Sequence, residues 1–224
     1  EAMQVADLGQ IKLISPDYRH APEYRHPSAV DDAFAVYKET LKEYEPGNIG
    51  IFGCSAGAII TAQLIARILQ EGLPLPAAAG LFCAAIPFTM DDVPGAFKMS
   101  NGDSAYYVAA QYGKPRSAKE LIDTQVSPYF EGVPANDPVV APGDFDEVMS
   151  KFPPTLLISG TRDFALSGVL ASHQRLTKLG VDADLHVWEG LGHATFAYNP
   201  RLPETDEVHW VIVNFFDKHL GRDK

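Results

Sequence analysis

Five consecutive residues of this 224-residue chain have the pattern of a serine nucleophile. Gly53-Cys54-Ser55-Ala56-Gly57 matches G-x-S-x-G, between an apolar stretch and a long run of helix-forming residues. In such a strand–turn–helix the serine occupies a strained turn, so small residues must flank it. The helix N-terminus favours negative charge that develops at the hydroxyl. The pattern predicts Ser55 as nucleophile and the backbone N–H of Ala56 as oxyanion donor; an incidental serine in a glycine-rich turn is the alternative.

A serine nucleophile needs a base, and the base needs a carboxylate to orient it. In a fold built on this turn, the chain order is serine, acid, histidine. Asp163 follows an apolar stretch that ends at Gly160, and His193 lies in a glycine-rich loop after another predicted strand. Both follow the carboxyl ends of predicted parallel strands, the edge where such sheets bind ligands. Ser55, Asp163 and His193 are therefore the predicted catalytic residues; a capping carboxylate and an ordinary loop histidine are the alternatives.

The other histidines fit the role of base less well. His186 lies within a predicted strand. His173, His209 and His219 lie on predicted helices, and His20 and His26 come before the serine. Cys54 could itself be taken for the nucleophile, but a small buried neighbour of the serine is the preferred interpretation. With only two cysteines, Cys54 and Cys83, the chain has no disulfide framework. Two reduced, buried thiols are expected, which favours a reducing, cytoplasmic location.

The elements that must position these residues alternate between strand and helix patterns. Strands are predicted at Ile11–Ser15, Asn48–Gly53, within the apolar run Ala77–Ile86, at Pro154–Gly160 and at Ala183–Trp188. Helices are predicted at Ser28–Tyr44 with Ser28 as N-cap, Ala56–Leu69, Ser167–Leu179 and Glu207–Leu220. This order predicts an α/β fold, a mostly parallel sheet with helices on both faces.

One domain is expected from the length, at about 150 residues per domain. The alternation breaks over residues 87–151, where proline and glycine accompany two short helical patterns, near Ser104–Gln111 and Ser117–Thr124. A cap or insertion before the acid-bearing strand explains this region better than core does. We therefore predict a single catalytic domain over 1–224 with a cap or insertion at 87–151.

Charge and motifs exclude several classes of function. Lys and Arg number 18 against 29 Asp and Glu, a net charge of −11, which argues against binding of nucleic acid or an anionic membrane surface. The chain has no uncharged apolar stretch of about 18 residues that could span a bilayer. It also lacks G-x-G-x-x-G, a Walker loop, C-x-x-C and H-E-x-x-H. Neither a cofactor nor a metal is expected.

Several linked segments resemble the hormone-sensitive-lipase-type branch of the α/β-hydrolases. Asp17-Tyr18-Arg19-His20-Ala21-Pro22-Glu23 resembles its D-Y-R-L-A-P-E segment, and residues 27–33, the serine turn, residues 152–158 and the His193 segment continue the match in order. The resemblance covers nearly the whole chain. It implies a serine carboxylesterase with its triad on Ser55, Asp163 and His193, which hydrolyses small or medium-chain esters through an acyl-enzyme. It also implies a possible homodimer through Asp184–Trp188 and Glu207–Leu220.

The sequence also departs from that family. Cys54 replaces the usual aspartate, and Gly57-Ala58 replaces Gly-Gly. No H-G-G-G loop, which supplies oxyanion donors in the family, occurs before Ser55. We therefore expect an N-terminally incomplete chain without the leading strands, part of the cap and those donors. The alternative function is a catalytically weak or inactive ligand-binding module on the same scaffold.

Overall fold

The computed structural model describes residues 2–88, 128–134 and 136–222. The helical patterns predicted near Ser104–Gln111 and Ser117–Thr124, and much of the region 87–151, lie outside these residues. In the described part of that region, the Gln63 side-chain amide donates to the Val140 carbonyl at 2.9 Å. Residues near 140 therefore pack on the helix that carries Gln63.

Among the described residues, four parallel strands form the sheet, in the order β1, β2, β3, β4. They are β1 Gly50–Cys54, β2 Ala78–Phe82, β3 Thr155–Arg162 and β4 Ala183–Gly192. All of β2 and the first six residues of β3 are buried, which explains why these segments contain no charged residue. Because the strands are parallel, their carboxyl ends share one edge of the sheet.

Helices cover both faces of the sheet, as predicted. They are α1 Ala2–Gly9, α2 Ser28–Thr40, α3 Ala56–Gln70, α4 Asp146–Met149, α5 Leu166–Lys178, α6 Thr195–Tyr198 and α7 Pro203–His219, with 3-10 turns at Pro46–Asn48, Pro128–Phe130 and Pro142–Asp144. Phe82 and Ile158 pack against α1 and α7, whereas their neighbours Leu81 and Leu157 pack against α3 and α5. The side chains of successive strand residues point to opposite faces of the sheet, so each face is buried by its own pair of helices. The predicted α/β fold class is confirmed.

Several helix and strand ends lie up to four residues from their predicted positions, and three further local predictions differ from the structure. Residues 11–15 form no strand, because a strand needs a hydrogen-bonded partner and no described strand lies beside them. Ser28 is the first helical residue rather than the N-cap, a position that Pro27 occupies. Strand β4 continues past Trp188 to Gly192, because an irregularity after Gly160 lets Arg162 pair with Gly192.

The outer edge of β1 borders a groove. The Ser55 N–H donates to the Phe82 carbonyl at 2.8 Å, so alternate residues of β1 bond to β2, while Gly50, Phe52 and Cys54 direct their backbone groups outward. A cavity of about 780 Å³ lies between this edge and residues 10–16. Within the described ranges, no strand pairs with the outer edge of β1. As for membranes, the helices of these ranges are all too short or too polar for a transmembrane span.

Candidate active site

Ser55 occupies a sharp turn between β1 and α3. Its backbone has φ 55° and ψ −116°, a conformation that a residue with a side chain rarely adopts. A Cβ on Gly53 would lie 2.3 Å from the backbone of Gly57, so only glycine fits at 53. A Cβ on Gly57 would meet nothing within 4 Å. The close approach of strand and helix therefore depends on the first glycine of the motif and holds the serine in the strained turn.

Asp163 follows β3 at the same sheet edge, and its side chain is fully buried. One carboxylate oxygen accepts the Ser159 hydroxyl at 3.0 Å, and the other accepts the Ala165 N–H at 2.9 Å. These two donors fix the plane of the carboxylate. A buried carboxylate needs such partners, because burial without them is costly.

His193 follows β4 and connects the serine to the acid. Its Nδ1 lies 2.8 Å from Oδ1 of Asp163, and its Nε2 lies 2.8 Å from Oγ of Ser55. A carboxylate oxygen accepts only, so Nδ1 carries the hydrogen and Nε2 is free to accept from the serine hydroxyl. The structure thus brings the three predicted residues together in the order serine, histidine, aspartate.

Contacts around the histidine hold its ring in place. The Phe164 ring stacks on the imidazole, with centroids 4.2 Å apart and planes 28° from parallel. The Tyr198 hydroxyl donates to the His193 carbonyl. Gly160 lets the His193 loop approach β3, since a Cβ there would lie 2.1 Å from the Leu191 carbonyl oxygen. The imidazole is thus held by a stacked ring on its face and by a hydrogen bond to the carbonyl of its own residue.

The Ala56 N–H is available as an oxyanion donor. Ala56 is the first residue of α3, and the first amides of a helix have no partner within it. Its neighbours Ala58 and Ile59 donate to the Ser55 carbonyl. In the part of the chain that the structure describes, the Ala56 N–H donates to no group, which leaves it free to stabilise a developing negative charge.

The two thiols lie in contact beneath the site. Cys83 is buried and Cys54 is partly exposed, and neither forms a disulfide. The hydrogen bond with Cys54, and then burial, raise the pKa of the Cys83 thiol well above its usual value. The Ala194 N–H donates to the Cys83 sulfur at 3.3 Å. The structure thus places Cys83, the thiol that sequence reasoning did not assign to the site, next to the His193 loop.

The competing histidines lie elsewhere. His186 stacks with Trp188 on β4, and Nδ1 of His209 donates to the Thr205 carbonyl within α7. Sequence reasoning missed Ser159, Phe164 and Cys83 as neighbours of the triad. Ser159 carried a weak signal, because it lies in the same strand that leads to Asp163, but the other two contacts arise only from tertiary packing.

Comparison with known proteins gives a consistent family assignment. A family model described as alpha/beta hydrolase fold matches residues 2–197. An acetyl-hydrolase of Streptomyces hygroscopicus is 28% identical over 207 residues, which cover 89% of this chain and 62% of that protein. An esterase of Acinetobacter venetianus is 25% identical over 212 residues, which cover 94% of this chain and 66% of that protein. The chain thus spans less than two thirds of the length of these relatives.

Solved structures of esterases have the same architecture. The crystal structure of esterase E25 superimposes with a TM-score of 0.78 at 32% identity, covering 97% of this chain and 63% of that one. An esterase from the bacterial hormone-sensitive lipase family superimposes with a TM-score of 0.79 at 28% identity, covering 97% and 69%. These relatives agree with the resemblance that the sequence motifs indicated.

Proposed function

The chain belongs to the alpha/beta hydrolase fold family, and on that premise we propose that it is a serine carboxylesterase. Its substrates are small or medium-chain carboxylic esters, which it hydrolyses through an acyl-enzyme. The observation that carries the proposal is the continuous hydrogen-bonded series Ser55–His193–Asp163 at the carboxyl edge of a parallel sheet. The names of the relatives, esterase and acetyl-hydrolase, support the same reaction class.

Acylation begins with the serine hydroxyl. Nε2 of His193 takes the Ser55 proton as Oγ attacks the ester carbonyl carbon, which forms a tetrahedral oxyanion. The Ala56 N–H donates to that oxyanion, and Asp163 stabilises the imidazolium through Nδ1–H. The imidazolium then returns its proton from Nε2 to the leaving alkoxide, and the ester carbon–oxygen bond breaks.

Deacylation repeats the sequence with water in place of the serine. Nε2 of His193 accepts a proton from water as the water oxygen attacks the acyl carbon. Collapse of the second oxyanion releases the carboxylic acid and returns the proton to Oγ of Ser55. The groove beside β1 reaches Gly53 and Gly57, but Ser55, Asp163 and His193 do not line it. We therefore assign the reaction to the strand-end edge rather than to the groove.

Hydrolysis of a p-nitrophenyl ester tests the proposal directly. Release of p-nitrophenolate from p-nitrophenyl acetate is measured for the native chain, Ser55→Ala and Cys54→Ala. We expect Ser55→Ala to lose several orders of magnitude in kcat, as in other serine hydrolases. Cys54→Ala, the adjacent nucleophile candidate, should retain activity within a few-fold.

Two results would contradict this assignment. Loss of activity in Cys54→Ala with retention in Ser55→Ala would make the thiol the nucleophile. A well-folded native chain with no turnover above buffer would favour the ligand-binding alternative on the same scaffold.

We also propose a homodimer that uses the sheet edge opposite to β1. Strand β4 is the other edge of the sheet within the described ranges, and the Trp188 indole N–H donates to Glu207 of α7 at 3.1 Å. Val187 and Trp210 are exposed on these two elements, which supports an apolar contact surface. Light scattering after size-exclusion chromatography should give twice the mass of one chain for the native protein. Trp210→Glu should lower the measured mass to that of a single chain. A native chain that is monomeric in this measurement would contradict the proposed homodimer.

The cytoplasmic location stays a prediction from the sequence.

A further inference from the structure

The Cys83 thiol lies beside the catalytic pair, and no step of the proposed hydrolysis uses it. Its sulfur, a carboxylate oxygen of Asp163 and a ring nitrogen of His193 all lie within 4.8 Å of one another. Cys83 has φ 55°, a left-handed conformation that costs free energy for a residue with a Cβ and is often found at functional sites. The sequence places this thiol directly after β2, at the edge where the acid and base also lie.

The three side chains offer the donor atoms that zinc prefers. Thiolate sulfur, imidazole nitrogen and carboxylate oxygen bind Zn²⁺ at about 2.0–2.3 Å, and a tetrahedral site of these lengths places neighbouring donors about 3.5 Å apart. The widest of the present separations, at most 4.8 Å, exceeds that spacing by about 1.3 Å or less, whereas the Nδ1–Oδ1 distance of 2.8 Å would have to lengthen. A thiolate and a carboxylate also balance the two positive charges, so the buried complex is neutral overall.

We propose that Cys83, Asp163 and His193 form an inhibitory Zn²⁺ site. The nitrogen that faces Asp163 is Nδ1, so the metal takes the place of the hydrogen that those two groups share. His193 is the most exposed of the three, since its side chain is 17% exposed while that of Asp163 is fully buried and Cys83 is buried as well. The inhibition rests on the proposed esterase function, whereas the binding does not.

Zinc at Nδ1 removes the general base. When Nδ1 binds the metal, the ring hydrogen moves to Nε2, and one proton leaves, that of the Cys83 thiol. Nε2 then donates and no longer accepts from the Ser55 hydroxyl. The wrong tautomer of a triad histidine lowers kcat by about 10⁴, so the zinc-bound form should retain below about 1% of the activity.

Cobalt titration tests the binding without any reference to activity. Thiolate-bound Co²⁺ absorbs in the near ultraviolet through charge transfer, so the band reports a sulfur ligand. We expect the native chain to give this band with one equivalent of Co²⁺, and Cys54→Ala to give it as well. Cys83→Ser should lack the band. Since the chain has two cysteines in all, these variants separate the candidate sulfur from its only alternative.

Zinc inhibition provides the functional measurement. p-Nitrophenyl acetate hydrolysis by the native chain and by Cys54→Ala should fall with added ZnCl₂ and recover with EDTA. Half-inhibition is measured for each variant relative to its own activity without zinc, and Cys83→Ser, whose hydroxyl can still accept the Ala194 N–H, should need at least about tenfold more zinc. Cys83→Ala serves as a second variant if serine disturbs folding.

Each outcome decides for or against the site. A cobalt band that persists in Cys83→Ser, no band in the native chain, or equal zinc sensitivity in Cys83→Ser overturns the proposal. A chain that gives the Cys83-dependent band but hydrolyses no ester retains the metal site and contradicts the proposed function alone.

Discussion

The acid–base side of the site and its serine side are supported very differently. Asp163 and His193 follow β3 and β4, and they are held by hydrogen bonds from Ser159 and Ala165 and by the Phe164 ring. Ser55 follows β1, whose outer edge borders the groove of about 780 Å³. In the described part of the chain, the serine side offers only the Ala56 N–H from its own turn as a predicted oxyanion donor.

This difference separates two parts of the proposed reaction. In that reaction, proton transfer depends on the acid–base side, where residues of β3, β4 and their loops hold the carboxylate and the imidazole. Stabilisation of the oxyanion depends on the serine side, and loss of one donor typically costs about 10²–10³ in kcat. The described residues therefore provide every group that the proposed proton transfer needs, but only one predicted donor for the oxyanion.

The largest effect is expected on the acid–base side, from Asp163→Asn. The amide can donate to Nδ1, which favours the histidine tautomer with hydrogen on Nε2, so kcat should fall by about 10⁴. Steady-state hydrolysis of p-nitrophenyl acetate measures it, with circular dichroism as the folding check. Asp184→Asn, on β4, is the matched control and should retain activity. A fully active Asp163→Asn enzyme would assign the acid to another residue.

On the serine side, replacing the first motif glycine by alanine should lower kcat much more than replacing the second. Gly53→Ala places a Cβ 2.3 Å from the backbone of Gly57, which must shift the serine turn, and displacement by about 1 Å can cost about 10²-fold in rate. Gly57→Ala meets no atom within 4 Å and should keep kcat within a few-fold. Thermal melting curves separate loss of folding from loss of geometry. Equal activity of the two variants would mean that the tight turn does not position the serine.

A smaller effect concerns the helix that supports the histidine loop. His209 on α7 lies edge-on to Phe196 of α6, with ring centroids 6.2 Å apart. Burial lowers the pKa of His209 below its ordinary value of 6.5, and the buried Nε2 has no hydrogen-bond partner among the described residues. Protonation would thus place a charge where no described group accepts the hydrogen.

The sign of the pH effect follows from this depressed pKa. Below about pH 6.5 the unfolded chain takes up a proton at His209 that the folded chain resists, so stability falls as the pH falls. Burial lowers the pKa of His26 as well, so both histidines act in the same direction. Urea unfolding at about pH 7.5 and about pH 5.5 should show a smaller loss in His209→Gln than in the native chain. The difference is at most about 1.4 kcal/mol per pH unit, and equal losses would contradict the assignment.

The sequence allowed prediction of the three side chains that meet at the carboxyl ends of the strands, because each follows a local pattern; their catalytic roles stay predictions. G-x-S-x-G between an apolar strand and a helix defined the turn at Ser55, and two later strand ends defined Asp163 and His193. The strand predicted at 11–15 was wrong, because its apolar pattern could not show whether a partner strand lies beside it. The stacking of Phe164 and the position of Cys83 were not predictable, since they depend on how separate strand ends meet in space.

Labelling with a fluorophosphonate tests the central claim, that His193 activates Ser55, most directly. The probe reacts with an activated serine, and mass spectrometry of peptides locates the adduct. We predict one label per native chain, on Ser55, none in Ser55→Ala, and labelling slowed by at least about 10²-fold in His193→Gln. An adduct on Cys54, or unchanged labelling of Ser55 in His193→Gln, would contradict the account.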